Sequence, residues 1–99
     1  MNLPQEKGYT IYSKKDCFLC IKAKKLLDDD KYTYTTIHCD ELLNKNRIDF
    51  LTFIGKYTTQ KTFPIIFYDG EIIGGYTDLH KYLSKDESFF TKLIKLFIY

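Results

Sequence analysis

At 99 residues, the chain has room for one small domain, and 44% hydrophobic residues suffice for a core without disulfide staples. Fifteen Lys and Arg residues against thirteen Asp and Glu leave a formal net charge of +2, which is too balanced to indicate a nucleic-acid partner. We therefore predict a single domain over residues 1–99, and we expect a monomer that binds no nucleic acid.

The three cysteines indicate the cellular compartment. A secreted disulfide scaffold would have more of them, and the opening residues MNLPQEKGYT contain no apolar run preceded by positive charge. No stretch approaches the roughly 18 apolar residues of a membrane span, and lysines interrupt the apolar tail FFTKLIKLFIY. These features predict a soluble protein without membrane contact, in a reducing intracellular compartment, the cytoplasm.

In the first half of the chain, a strand precedes a helix. Residues 8–13 (GYTIYS) are rich in aromatic and β-branched side chains, which favour a strand. The following segment has apolar residues at helical spacing, which are Ile21, Ala23, Leu26 and Leu27. This helix should end near residues 28–31 (DDDK), and residues 32–39 (YTYTTIHC) predict a second strand.

The second half predicts a helix, a hairpin and further helices. Residues 40–57 carry apolar side chains at three- and four-residue steps, and Gly55 is placed to close this helix. Two short apolar runs, residues 65–68 and 71–73, flank Asp69-Gly70, a hairpin turn signal. One or two helices follow from about Thr77, and the tail over residues 89–99 should pack as the last. The order β-α-β-α-β-β-α predicts an α/β fold, a mixed four-stranded sheet flanked by helices.

Two cysteines three residues apart occupy the start of the first predicted helix. There the helix dipole and unpaired N–H groups stabilise an anion such as the Cys17 thiolate, and Lys14 and Lys15 act in the same direction. Cys20 lies one turn deeper, where it is more shielded and can reach Cys17 to close a disulfide. The spacing therefore predicts a redox pair with Cys17 as nucleophile and Cys20 as resolving thiol.

Metal binding is the main alternative for such a pair. Structural zinc needs four ligands, and the remaining candidates, His38 and Cys39, are neighbours on a strand and should point to opposite faces. We therefore predict no metal site, and we interpret Cys39 as a small buried hydrophobe. Five lysines surround the pair, and they form either a solvated helix face or a surface that attracts an anionic substrate. They are Lys14, Lys15, Lys22, Lys24 and Lys25.

Three motifs in order resemble the glutaredoxins, a family of the thioredoxin fold. They are CFLC at 17–20 after a strand, TFP at 62–64 before a strand, and GGYTD at 74–78 after a hairpin. The resemblance spans nearly the whole chain. It implies a glutathione-dependent oxidoreductase that reduces protein disulfides and protein–glutathione mixed disulfides, with glutathione as co-substrate. Ribonucleotide reductase is a client by resemblance only.

The resemblance also implies a glutathione site. Lys14 would contact the glycine carboxylate, Lys61 would supply a second such contact, and Gln60 is a weaker candidate. The segment Thr62, Phe63 and Pro64 would pair its backbone at Phe63 with the cysteine of glutathione, with a cis bond before Pro64.

The glycine pair closes this predicted site. Gly74 and Gly75 would allow close backbone approach, and Thr77 and Asp78 would meet the γ-glutamyl end, with Asp78 pairing with the amino group. Without the other motifs, the glycines would be interpreted as a tight turn and Asp78 as a helix N-terminal carboxylate.

One departure leaves other functions open. Glutaredoxins commonly have Pro-Tyr between the cysteines, whereas this chain has Phe18-Leu19, so its reduction potential and substrate preference are not fixed by resemblance. Two alternative functions are a [2Fe-2S] cluster shared between two monomers and a redoxin that depends on thioredoxin reductase. Lys14 and Asp78 disfavour the second alternative.

Overall fold

The computed structural model describes residues 3–84, which contain four strands and four helices. In chain order they are β1 (Tyr9–Ser13), α1 (Phe18–Asp29), β2 (Tyr34–His38), α2 (Asp40–Lys45), α3 (Arg47–Gly55), β3 (Ile65–Tyr68), β4 (Glu71–Gly74) and α4 (76–84). Within this range no helix combines the length and the apolar composition needed to cross a membrane. The helix predicted over residues 89–99 lies outside the described residues.

The four strands form one mixed sheet in the order β2-β1-β3-β4. β1 pairs in parallel with β2 across the α1 crossover, and it pairs antiparallel with β3 on its other side. β3 and β4 form a hairpin in which Asp69 and Gly70 both have positive φ, 52° and 81°, as the predicted tight turn requires. The predicted α/β architecture, a thioredoxin-like mixed sheet flanked by helices, is confirmed.

Helices cover the central strand on both faces, so every residue of β1 is buried. Side chains alternate along a strand, and Ile11 therefore faces one helix layer while Tyr12 faces the other. The Ile11 side packs against α1 and α4 through Ala23, Leu27, Leu79 and Leu83. The Tyr12 side packs against α3 through Phe50 and Ile54, together with Ile37 and Phe67. Because helices pack on both of its faces, β1 is held in place as far as its last residue, Ser13. The loop that leads to Cys17 begins there.

Element boundaries differ from the predictions in two places. The helix predicted over residues 40–57 is two helices, α2 and α3, because Asn46 (φ −134°, ψ 42°) leaves the helical conformation. Its N–H still donates to the carbonyl of Leu42, and its carbonyl accepts from the N–H of Phe50, so this residue ends one helix and begins the next. The second strand is shorter than predicted, and Cys39 lies at the start of α2.

Candidate active site

The cysteine pair lies at the N-terminus of α1. Cys17 is the residue that precedes the helix, and its Sγ accepts a hydrogen bond from the Cys20 N–H at 3.2 Å. Cys17 and Cys20 are joined in a disulfide with their Cα atoms 5.2 Å apart. The spacing therefore closes the bond as predicted. The backbone N–H group that donates to sulfur in the disulfide is placed to stabilise a thiolate after reduction.

The two sulfur-bearing residues differ in accessibility. Cys17 is 9% exposed, whereas Cys20 is 1% exposed and packs inside the first turn of α1. An incoming thiolate therefore reaches Cys17 first, because access is one of the factors that determine which sulfur is attacked.

The loop between β1 and α1 is tied to neighbouring segments. The Lys15 N–H donates to Oδ1 of Asp40 at 2.9 Å, and the Cys39 N–H donates to the carbonyl of Ser13 at 2.8 Å. These bonds join the loop to the start of α2. On the other side, the Lys14 Nζ lies 5.6 Å from the centroid of the Phe63 ring, a cation–π distance. Lys14 therefore lies beside the segment around Pro64.

Gln60 holds the segment around Pro64. The Phe63–Pro64 peptide bond is cis, as the resemblance implies. The Gln60 Nε2 donates to the carbonyls of Thr62 and Pro64 at 2.6 Å and 2.8 Å. Because a side-chain amide has two N–H donors, both are occupied and none remains for a carboxylate. In this structure the Gln60 side chain therefore fixes the Thr62–Phe63 and Pro64–Ile65 peptide groups, and a contact of Gln60 with a carboxylate stays a prediction.

The glycine turn is joined to α4 by Asp78. The Gly75 N–H donates to Oδ2 of Asp78 at 2.9 Å, while the Gly75 carbonyl accepts from the Leu79 N–H at 3.0 Å and so begins the helix. Gly74 has φ 128°, and a Cβ at this position would collide with the Asp78 carboxylate. A Cβ at Gly75 would lie 3.3 Å from Nε2 of Gln60, so the glycine turn adjoins the segment around Pro64.

Contacts join several of the predicted site residues, but not all. Lys14 lies against the Phe63 ring, and Gly75 adjoins both Gln60 and Asp78. Lys61 lines a cavity of about 610 Å³ beside the C-terminal half of α3, and Asp78 lines another beside β4. Thr77 is exposed in the first turn of α4, and Thr62 is exposed beside the buried Pro64. We use the name β3-side groove for the surface that runs from Lys14 and Phe63 to Gly75 and Asp78.

One contact near the site has no counterpart in the predictions. The Lys22 Nζ lies 4.8 Å from the centroid of the Tyr76 ring and 5.6 Å from that of Phe18. Phe18 and Lys22 are four residues apart on α1, so a sequence signal exists for their contact. Tyr76 belongs to α4, and its contact with α1 depends on how the two helices pack.

The third cysteine is isolated from the pair. Cys39 is fully buried, as predicted, and its Sγ lies 3.6 Å from the carbonyl of Ile37. Burial raises the pKa of the Cys39 thiol to about 12, which keeps it protonated and unreactive at neutral pH. Over residues 3–84, no group of three His, Cys, Asp or Glu side chains is arranged to hold a metal ion.

Comparison with known protein sequences supports one family. The family model described as Glutaredoxin matches residues 9–73. Human mitochondrial glutaredoxin-2 is 39% identical over 71 residues, which is 72% of this chain and 42% of that protein. The mouse mitochondrial glutaredoxin-2 is 37% identical over 71 residues, again 72% of this chain and 44% of the mouse protein. The chain thus spans less than half the length of these two relatives.

Solved structures with this fold are also similar. A buckwheat glutaredoxin–glutathione complex superposes with a TM-score of 0.67 at 28% identity, covering 82% of this chain and 73% of that one. The holo form of glutaredoxin C1 from Populus tremula x tremuloides gives a TM-score of 0.71 at 24% identity, covering 86% and 82% of the two chains. The second likeness concerns the fold alone.

The predicted cytoplasmic location is contradicted by the same comparison. The human, mouse and Pongo abelii relatives are all named as mitochondrial proteins. The prediction rested on the lack of an apolar secretory leader, whereas mitochondrial leaders are amphipathic and rich in Arg. The observation used therefore does not distinguish a cytoplasmic protein from a mitochondrial one.

The sequence match and the fold lead to the same family. The matched segment over residues 9–73 covers more than half of the chain, and it contains both the cysteine pair and the segment around Pro64. The mixed four-stranded sheet flanked by helices matches glutaredoxin structures of the thioredoxin fold. The chain therefore belongs to the glutaredoxin family and carries a Cys-X-X-Cys pair of its dithiol type.

Proposed function

We propose that this chain is a glutathione-dependent thiol-disulfide oxidoreductase that reduces protein disulfides and protein–glutathione mixed disulfides. The observation that carries the proposal is the Cys17–Cys20 disulfide at the N-terminus of α1, with Cys17 the more exposed residue of the two. Family membership supports the same chemistry. We also propose that residues 1–99 form one domain and, from the names of the relatives, that the protein is mitochondrial.

The β3-side groove supports glutathione as the co-substrate. Lys14 provides a cation at one end for the glycine carboxylate, and Asp78 provides an anion at the other for the γ-glutamyl amino group. Between them, the backbone of Phe63, in the segment that Gln60 holds, can pair with the central cysteine of glutathione as an added strand. Thr62 and Pro64 position Phe63 from either side, and Gly75 leaves room for the ligand. A related buckwheat glutaredoxin in complex with glutathione supports this assignment.

Two further residues extend the proposed site. Thr77, exposed beside Asp78 in the first turn of α4, would meet the γ-glutamyl carboxylate. Lys61 would supply a second cation for the glycine end, approaching from its cavity beside α3.

In the first route, the Cys17 thiolate attacks the glutathione sulfur of a mixed disulfide. A Cys17–glutathione bond forms, the original disulfide breaks, and the protein sulfur leaves as a thiolate that takes a proton from water. A second glutathione thiolate then attacks the glutathione sulfur bound to Cys17. Glutathione disulfide leaves and the Cys17 thiolate is regenerated, so the enzyme is neither oxidised nor reduced over the whole cycle.

In the second route, the substrate is a protein disulfide. The Cys17 thiolate attacks one sulfur and releases the other as a thiolate, and the Cys20 thiolate then attacks Cys17 to release the second. The two electrons gained by the substrate come from the oxidation of Cys17 and Cys20 to their disulfide. Two glutathione molecules reduce that disulfide and leave as glutathione disulfide.

Trapping the intermediate tests the proposal. The Cys20→Ser variant, incubated with a glutathionylated peptide, should accumulate glutathione on Cys17 and release one equivalent of peptide thiol, as measured by intact and peptide mass spectrometry. The matched Cys17→Ser variant should release none. Glutathione found on Cys39, or release of peptide thiol by the Cys17→Ser variant, would overturn the assignment of the nucleophile.

A further inference from the structure

A depression adjoins the cysteine pair beside the end of β2. It is a cavity of about 230 Å³ whose lining includes Cys17 and Cys20 together with Lys15, Lys24 and His38. We name it the β2-side cavity, because His38 is the last residue of β2.

The sheet order separates this cavity from the groove. β2 and β3 lie on opposite sides of β1, and Cys17 follows the end of β1. The groove lies along the segment before β3 and the turn after β4, whereas the cavity is built from the loop between β1 and α1, the α1 face that carries Cys20 and Lys24, and His38 of β2; Lys14 borders both. A mixed disulfide brings two different halves to Cys17, so glutathione in the groove leaves the cavity available to the protein half.

The cavity is cationic. Three lysines line it, Lys14, Lys15 and Lys24, and Asp16 is the one carboxylate among its lining residues. Within residues 3–84 the one ion pair joins Lys25 to Asp29, at 3.4 Å, so Lys15 and Lys24 have no carboxylate partner there. Cations without partners beside a reactive sulfur attract anionic groups.

An exposed apolar surface adjoins the cavity. Phe18 and Ile21 are 71% and 63% exposed, and Leu19 is 45% exposed, although all three lie within four residues of Cys17. Small thiols cannot cover such an area, whereas a polypeptide segment placed across the start of α1 covers it and excludes water from the sulfurs.

We propose that the β2-side cavity docks the protein half of the substrate and selects an acidic residue next to its reacting cysteine. The inference rests on the proposed function and adds a substrate preference to it. Lys15 and Lys24 supply the charge complementarity, and the exposed Ile21, which lines the cavity, contacts the adjacent part of the segment. Basic segments are disfavoured because their charges approach the same lysines.

Two glutathionylated peptides that differ only in flanking charge test the inference. They share one sequence around cysteine, with two Glu residues in one and two Lys residues in the other, and kcat/KM is measured by coupling to glutathione reductase and NADPH. We expect the wild type to favour the acidic peptide by about threefold or more, the scale of exposed ion pairs. The preference should shrink at high ionic strength.

Lys24→Glu and Lys25→Glu form a matched pair, because both change the charge by the same amount on neighbouring residues. Lys24→Glu should abolish or reverse the preference, whereas Lys25→Glu should retain it, because Lys25 does not line the cavity. Lys24→Gln, which removes the charge without reversing it, repeats the test if Lys24→Glu folds poorly.

The mixed disulfide of glutathione with 2-mercaptoethanol separates this inference from the proposed function. The half of this substrate that replaces the peptide is uncharged, so the Lys24 and Lys25 variants should reduce it like the wild type. A wild type inactive on it would overturn both proposals. Three other results would overturn the docking proposal alone. The wild type could be active without preferring the acidic peptide, or Lys25→Glu could lose the preference as fully as Lys24→Glu. The third is a Lys24→Glu effect confined to the KM for glutathione.

Discussion

Replacing Asp78 separates helix capping from ligand binding. Its Oδ2 accepts from the Gly75 N–H at 2.9 Å, and an Asn amide oxygen can accept the same bond, whereas Ala cannot. Asp78→Ala should therefore lower the free energy of unfolding by about 1 kcal/mol, and the melting temperature by roughly 4–8 °C. Asp78→Asn should leave both nearly unchanged.

Glutathione binding should respond to charge instead. Both variants lose the anion proposed to pair with the γ-glutamyl amino group. A hydrogen bond to a charged group contributes about 1.5–3 kcal/mol when desolvated, but Asp78 is exposed, so screening reduces the effect to about 1 kcal/mol. We therefore expect the KM for glutathione to rise about fivefold in both variants, with little change in kcat.

Differential scanning calorimetry and steady-state kinetics with varied glutathione measure the two effects. The reasoning is refuted if Asp78→Asn keeps the wild-type KM while Asp78→Ala raises it, because the carboxylate would then act as a helix cap only. A melting temperature as low in Asp78→Asn as in Asp78→Ala would refute the capping argument.

Two further predictions concern residues behind the site. Gln60→Leu leaves the carbonyls of Thr62 and Pro64 without their donor, so the free energy of unfolding measured in urea should fall by about 1–3 kcal/mol. The KM for glutathione should rise as well, and an unaltered KM would contradict the positioning role. Because burial raises the folded-state pKa of Cys39 from 9.0 to about 12, the unfolded state loses this proton first. The contribution of the protonated Cys39 thiol to the free energy of unfolding is therefore complete below about pH 9. It declines between pH 9 and 12, by up to about 1.4 kcal/mol per pH unit. In urea unfolding across this pH range, the free energy of unfolding should fall less steeply with pH in Cys39→Ala than in the wild type. Equal pH dependence in the two proteins would contradict the raised pKa of Cys39.

Local signals made much of this structure predictable. The Asp69-Gly70 turn depends on two positive φ angles that the residue types themselves favour, and the start of α1 follows from the polar loop before Cys17. The break at Asn46 was missed because apolar spacing continues through it, although Asn is a poor helix former with a side chain that competes for backbone bonds.

Contacts between segments were harder to foresee. The two hydrogen bonds of Gln60 depend on how the loop before β3 folds, and the contact between Lys22 and Tyr76 depends on how α1 packs beside α4. Neither contact follows from the periodicity of the sequence, because each depends on how the chain is arranged in three dimensions. The cellular location was missed for another reason, since its signal is not a property of the fold.

The most direct test of the central claim is the reduction of a glutathionylated peptide by glutathione, coupled to glutathione reductase and NADPH, in the wild type and two single-cysteine variants. Cys20→Ser should retain deglutathionylation because the first route uses Cys17 alone, and Cys17→Ser should abolish turnover. Full activity in Cys17→Ser, or an inactive wild type, would contradict the account of this site as a glutathione-dependent redox centre.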